Sequence, residues 1–217
     1  MEIVALGPNL WHVESRFGAV FPIRMTIRRT DAGLILWSPV AIDDELAAAL
    51  NDLGPVATIV APNLFHYAHV AATKARYPEA LRAKRPEVPI DAALSAGAQL
   101  GGACSVHAVD GSAVVSEFVM HDAETKTLTV TDLVFNVRKA HNFRSWFVFR
   151  AVAGTLGEVG QSRLWKSFVK DRAAASASMR ALNELPFDRL IVGHGEVVEE
   201  GGQEALAKAT ARWTDRA

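Results

Sequence analysis

The sequence predicts a layered α/β (α+β) fold assembled from two successive halves, and three observations carry that expectation. Short apolar or alternating runs fill the first third of the chain, a segment with helical period follows, and the same progression from strands to helices returns after Ala113.

The opening runs "EIVAL", "LWHVES", "AVFPIRMTIRR" and "GLILWSPV" are broken by Gly7-Pro8, Gly18 and Asp31-Ala32-Gly33, the pattern of a β-meander. In "IDDELAAALNDLG" the period changes. Asp43 or Asp44 can cap a helix, Leu46, Leu50 and Leu53 share one face, and Gly54-Pro55 ends it. "VATIVA", Val56 to Ala61, is β-branched and fits an interior strand buried on both faces. "VAATKAR" reads as a helix, whereas Tyr77 to Gly102, with Pro78, Pro86 and Pro89, reads as loops and a surface strand. "AVVSEFVM", the turn "HDAETK" and "TLTVTDLVFN" form a hairpin signal. Helices are expected over Trp146 to Val152 and Arg163 to Leu185, and "FDRLIVGHGEVVEEGGQEALAKATARW" reads as strand, turn and helix.

A chain of 217 residues, half of them hydrophobic, can bury a large core, so one domain over residues 1–217 is expected. The 23 Lys and Arg balance 24 Asp and Glu, which leaves no long-range field to concentrate nucleic acid or an anionic membrane. The start "MEIVALGPNLWHVES" lacks a signal-peptide pattern and no apolar run is long enough to span a bilayer, so a soluble, cytoplasmic protein is expected. A lone cysteine, Cys104, makes no internal disulfide and offers no CxxC pair; it reads as a buried space-filler. Any metal must therefore be held by His, Asp or Glu.

Four such residues stand where strands are expected to end: His66 and His69 in "NLFHYAH", Asp132 in "TVTDLVFN" and His194 in "LIVGHGEV". Loops beyond strand ends are where α/β folds gather their chemistry. An aspartate at the end of an apolar strand is costly if buried without a partner, and glycines on both sides of His194 allow a tight turn. Taken alone, two histidines three apart fit equally the first turn of a helix, Asp132 fits a loop cap, and His194 an exposed turn.

In order and context, "NLFHYAH", "DAETKTLTVTDLVF" and "IVGHG" resemble the metallo-β-lactamase superfamily, whose members carry H-x-H-x-D-H after a strand, a later histidine, an aspartate, and a final histidine in a G-H-G-like turn. With "LGPVATIVAPN", "EFVMHD" and "HGEVVEEGG" the chain is similar to one branch of that superfamily, a domain of unknown function with a degenerate motif. The resemblance runs from about Ser38 to Trp213. It implies a four-layer αββα sandwich. It also implies a reduced site, because Leu64 stands at the first histidine of the motif, Ala68 at its aspartate, and no histidine lies near Ala113.

Counting donors then favours one ion over two. On the family pattern His69, Asp132 and His194 hold a single divalent metal with His66 nearby; zinc suits this set, and iron or manganese remains open. Asp132 and His69 are the expected catalytic residues, and the implied activity is metal-assisted hydrolysis of an ester, thioester, amide or phosphoester of a small, unidentified substrate. Two other readings stand beside it: a non-catalytic or ligand-binding member of the fold, and a metal-dependent redox protein. Glu117 or His121 could replace the missing middle histidine, although a solvent-facing strand edge accounts more simply for His121. Asn63 reads as a helix cap. His12, His107 and His141 show no partner pattern, and the group "FRSWFVFR" with "SRLWKSFVK" fits helices with aromatic residues inward and cations outward.

Overall fold

The computed structural model describes residues 1–18, 20–83 and 91–214. The expected meander is present as β1 (Ile3–Gly7), β2 (Leu10–Phe17), β3 (Phe21–Thr30) and β4 (Gly33–Trp37), joined in antiparallel register. Helix α1 (Asp44–Leu53) follows, its amino terminus capped by the Asp43 carboxylate accepting from Leu46 N and its end marked by Gly54. Then come β5 (Val56–Val60), α2 (Val70–Arg76) and β6 (Leu81–Ala83); β4, β5 and β6 run parallel, completing a six-stranded sheet in the order β1-β2-β3-β4-β5-β6. Pro86 and Pro89, part of the stretch expected to be irregular, lie outside the described residues.

The second sheet contains β7 (Gln99–Leu100), β8 (Cys104–Val109), β9 (Glu117–Asp122), β10 (Thr127–Thr129) and β11 (Arg189–Ile191), in the order β11-β10-β9-β8-β7. The hairpin expected around "HDAETK" is the antiparallel pair β9–β10, but its first strand begins at Glu117, after a turn in which Ser112 O accepts from Ser116 N. Helix α3 (Phe143–Phe147) continues into a π-helical turn, Val148–Ala153. The single helix expected over Arg163 to Leu185 is two, α4 (Arg163–Phe168) and α5 (Arg172–Asn183), because Val169 is extended and Asp171 starts a new helix as its cap. Helix α6 (Gly202–Thr214) ends the fold. Among the described residues no helix is long and apolar enough to cross a membrane.

Side-chain alternation along the strands produces the layers. On β4, Leu34 and Leu36 face α1, packing against Leu46 and Leu50, while Ile35 and Trp37 face the other sheet and meet Val106 and Met120. Burying each of those helix leucines contributes roughly 1.5–3 kcal/mol. On the far side of the second sheet, Val119, Leu128 and Leu190 pack against Ala175, Met179 and Leu182 of α5 and Leu206 and Trp213 of α6. The result is a four-layer αββα sandwich. Cys104 lies wholly buried between the sheets, where burial pushes its thiol up to about 12, so it is a packing residue there.

Candidate metal centre

The chemistry-bearing side chains sit beyond the carboxyl ends of strands: Ser38 after β4, His66 after β5, Asp132 after β10 and His194 after β11. Asn63 makes the local turn. Its Oδ1 accepts from the backbone N–H groups of Phe65 and His66, each at 2.9 Å, and so turns the His66 side chain back toward the strand ends. The glycines around His194 have different jobs. A Cβ on Gly193 would lie 3.0 Å from the Thr131 backbone, and Gly195 has φ +100, a conformation that L side chains rarely adopt.

Among the described residues His66, Asp132 and His194 form the one group of three possible ligands, their donor atoms all within 4.8 Å of one another. His194 Nε2 is 3.2 Å from His66 Nε2 and 3.1 Å from Asp132 Oδ1, and His66 Nε2 is 3.4 Å from Asp132 Oδ2. Zinc bonds of about 2.0–2.1 Å at tetrahedral angles set neighbouring donors roughly 3.3 Å apart. The three side chains are nearly enclosed, with 8, 14 and 7 % of their surface exposed for His66, Asp132 and His194.

Surrounding groups fix the orientation of each donor. His194 Nδ1 lies 2.7 Å from Pro22 O, which can only accept, so Nδ1 carries the proton and the Nε2 lone pair faces the centre. His66 Nδ1 is 2.7 Å from Ser38 Oγ. Asn63 Nδ2 donates to Asp132 Oδ2 at 2.7 Å, while the buried Glu117 carboxylate accepts from the N–H of Thr131 and of Asp132. Burial acts to raise the Asp132 pKa, but the charge and hydrogen bonds of His66 and His194 outweigh it and hold the carboxyl well below the usual carboxylate range. Burial, followed by the Asp132 charge, pushes Glu117 up to about 7. An ionised carboxylate and two imidazole lone pairs at these distances repel unless a cation stands among them, so the donor set fits either a metal or a shared proton.

Histidine 69 takes a different place from the expected one. It caps the start of α2 with its backbone, accepting from Thr73, and lines the cavity beside the triad without joining the group of converging donors. The geometric set thus contains His66 where the motif pattern placed His69. The reason is local: Pro62 to His69 is a turn rather than a helix, so the two histidines do not share a helical face. Glu117 is likewise outside the triad and supports the Asp132 loop. His121 is buried rather than facing solvent, its Nε2 3.1 Å from Pro186 O. Asn63 is not the expected helix cap, since α2 starts only after His69; its Oδ1 closes the preceding turn and its Nδ2 reaches Asp132. Ser38 and the Pro22 carbonyl escaped the sequence reading. A polar residue closing an apolar strand just before a proline was a usable signal for Ser38, whereas a main-chain carbonyl leaves none.

A cavity of about 650 Å³ opens beside the triad. Phe135 and Phe21 meet the His194 ring edge-on, with centroids 4.5 and 5.8 Å away, and keep that side of the centre apolar.

No protein-family profile matches the chain, and no curated protein matches it. Solved structures do. A metallo-β-lactamase from Pontibacter korlensis is similar with TM-score 0.66 and 13% identity, covering 99% of this chain and 99% of that one. A metallo-β-lactamase from Pseudomonas aeruginosa in its mono-zinc form matches with TM-score 0.64 and 12% identity over 97% of this chain and 95% of its own. A metal-soaked flavodiiron core from Synechocystis matches with TM-score 0.67 and 12% identity, over 98% of this chain and 60% of its own. The fold is that of the metallo-β-lactamases. Within this metallo-β-lactamase fold, the described residues present a single candidate triad, too few donors for a pair of ions.

Proposed function

We propose that this chain is a metal-dependent hydrolase whose single divalent ion, zinc in the first instance, is held by His66, Asp132 and His194. The observation that carries the reading is the convergence of three donor atoms at ligand-like separations, each oriented by a hydrogen bond from behind. A bound divalent ion at such a site supplies a Lewis acid and an acidified water near neutral pH. The protein residues do the rest. Asp132 stays ionised as a ligand, Asn63 and Glu117 hold its loop, and Phe21 and Phe135 exclude water from one flank. His69, on the cavity wall, is placed to exchange a proton with the reacting groups. A mono-zinc form of a neighbour in fold supports a one-ion reading. Placement in the degenerate-motif branch belongs to the same proposal and is supported by the donors lost at Leu64 and Ala68.

Two imidazoles and one carboxylate are also the donor set of non-haem iron sites, which favours redox or oxygen chemistry as the second reading. Elemental analysis of protein purified with zinc, iron and manganese available tests both. One equivalent of zinc per chain supports the hydrolase, iron with redox-active spectra moves the reading to the second, and absence of any stoichiometric metal sinks both.

A further inference from the structure

The cavity beside the triad has a chemistry of its own. None of the described residues lining it is lysine or arginine, and outside the triad its wall is mainly aromatic and aliphatic. Phe168, Trp165 and Val148 line it, and Leu164 and Val152, which are half exposed, belong both to its wall and to its mouth. A volume of about 650 Å³ is within the range that takes a drug-sized ligand. A charged tail entering it would lose its hydration without meeting a cation, at a cost of several kcal/mol, whereas each methylene buried there favours binding roughly fourfold.

Resting on the hydrolase reading above, we propose that the substrate is an uncharged ester or thioester with a medium-length apolar acyl chain: the carbonyl sits at the triad and the chain fills the cavity. In the reaction the oxygen of a water molecule bonds to the carbonyl carbon and the carbon–oxygen or carbon–sulfur bond breaks. The bonding pair leaves with the alcohol or thiol, which takes up one proton of that water, and the acid keeps the carbonyl oxygen together with the water oxygen and its second proton. No oxidant or further reactant is required. This excludes substrates whose flanking groups are polar or ionic, such as nucleotide phosphodiesters and carboxylate-bearing lactams.

Two measurements on the full chain test the proposal and separate its failure from that of the hydrolase reading. Isothermal calorimetry with octanol on metal-free protein reads the cavity alone. Octanol is expected to bind at least tenfold more tightly than butanol, and Leu164→Glu is expected to weaken octanol at least tenfold, with circular dichroism unchanged from the parent. On zinc-loaded protein, kcat/KM for para-nitrophenyl esters is expected to rise at least tenfold from acetate to octanoate and to exceed that for bis(para-nitrophenyl) phosphate. Octanol binding without any ester turnover upholds the apolar cavity and removes the hydrolase. Equal affinity for octanol and butanol, or faster turnover of the phosphodiester than of octanoate, overturns the proposed substrate class even if the protein is a hydrolase.

Discussion

Asn63 and Asp132, 69 residues apart in sequence, are joined by a hydrogen bond of 2.7 Å from the Asn63 amide to Asp132 Oδ2. The same amide group uses its oxygen to gather the N–H groups of Phe65 and His66, so one side chain fixes two of the three converging donors. Removing it by Asn63→Ala should weaken zinc binding by about 10–100-fold, the effect typical of losing a group that orients a ligand. Competition against a fluorescent chelator measures this. Unchanged affinity would mean that the loop and the carboxylate hold their places without the amide.

Asp132 and His69 should separate under substitution, since only the first belongs to the triad. Asp132→Ala is expected to abolish stoichiometric zinc, because one of three donors and the sole anionic one is lost. His69→Ala is expected to keep one equivalent of zinc while kcat for an ester falls about 10²–10⁴-fold, the range of a missing proton-transfer group. If His69→Ala loses its metal instead, His69 is a ligand and the motif pattern outranks the observed geometry.

The fold was legible because its signals were periodic. Asp43 as cap and Gly54 as stop bound α1 where the sequence placed them, since capping is a local interaction between residues three apart. Strand β8 is the weaker signal: Cys104 and Val106 alternate with Ser105 and His107 and face the core, but the alternation lasts only six residues and its outer face is not strongly polar. At the site the residue types and strand-end positions of His66, Asp132 and His194 were readable. The choice between His66 and His69 was not. It depends on an Asx turn at Asn63 that delays the helix to Val70, and on Ser38, just beyond β4, which meets His66 across the chain.

His12 gives the stability a dependence on mild acid. It lies buried on β2 with Nδ1 accepting from Arg24 Nε, and burial, then the Arg24 charge, lowers its pKa from 6.5 to about 4 against a weaker pull from Glu14. The folded-state value is below that of the unfolded chain, so above pH 6.5 neither state is protonated and the histidine costs nothing. Between pH 6.5 and 4 the unfolded chain takes up a proton that the folded one refuses, and stability falls. The slope contributed by one group is at most about 1.4 kcal/mol per pH unit. His12→Asn, which keeps an acceptor for Arg24, should flatten the urea midpoint across this window. Parallel loss in variant and parent would assign the acid sensitivity to other groups.

Gly195 should be the least replaceable residue of the turn that carries His194. Its φ of +100 lies outside the ordinary range of L residues, and a Cβ there would stand 2.7 Å from Val137 N and closer still to the Asn136 carbonyl. That carbonyl is already committed to Glu196 N at 2.8 Å, while Asn136 N donates to His194 O at 3.0 Å and the Asn136 amide donates to Glu196 O at 2.8 Å. Asn136 therefore clamps the turn on both sides of the glycine, and the clamp cannot retreat without releasing the backbone of His194. Gly195→Ala combines a strained dihedral that L residues rarely adopt with a clash against a buried, fully bonded amide, and about 2–4 kcal/mol of stability should be lost. Because the clash falls next to a ligand, zinc affinity should drop along with the urea midpoint. A variant that unfolds like the parent but binds zinc poorly would place the strain in the turn alone. One that matches the parent in both would show that the Asn136 clamp yields, and that the approach of the two backbones does not set the position of His194.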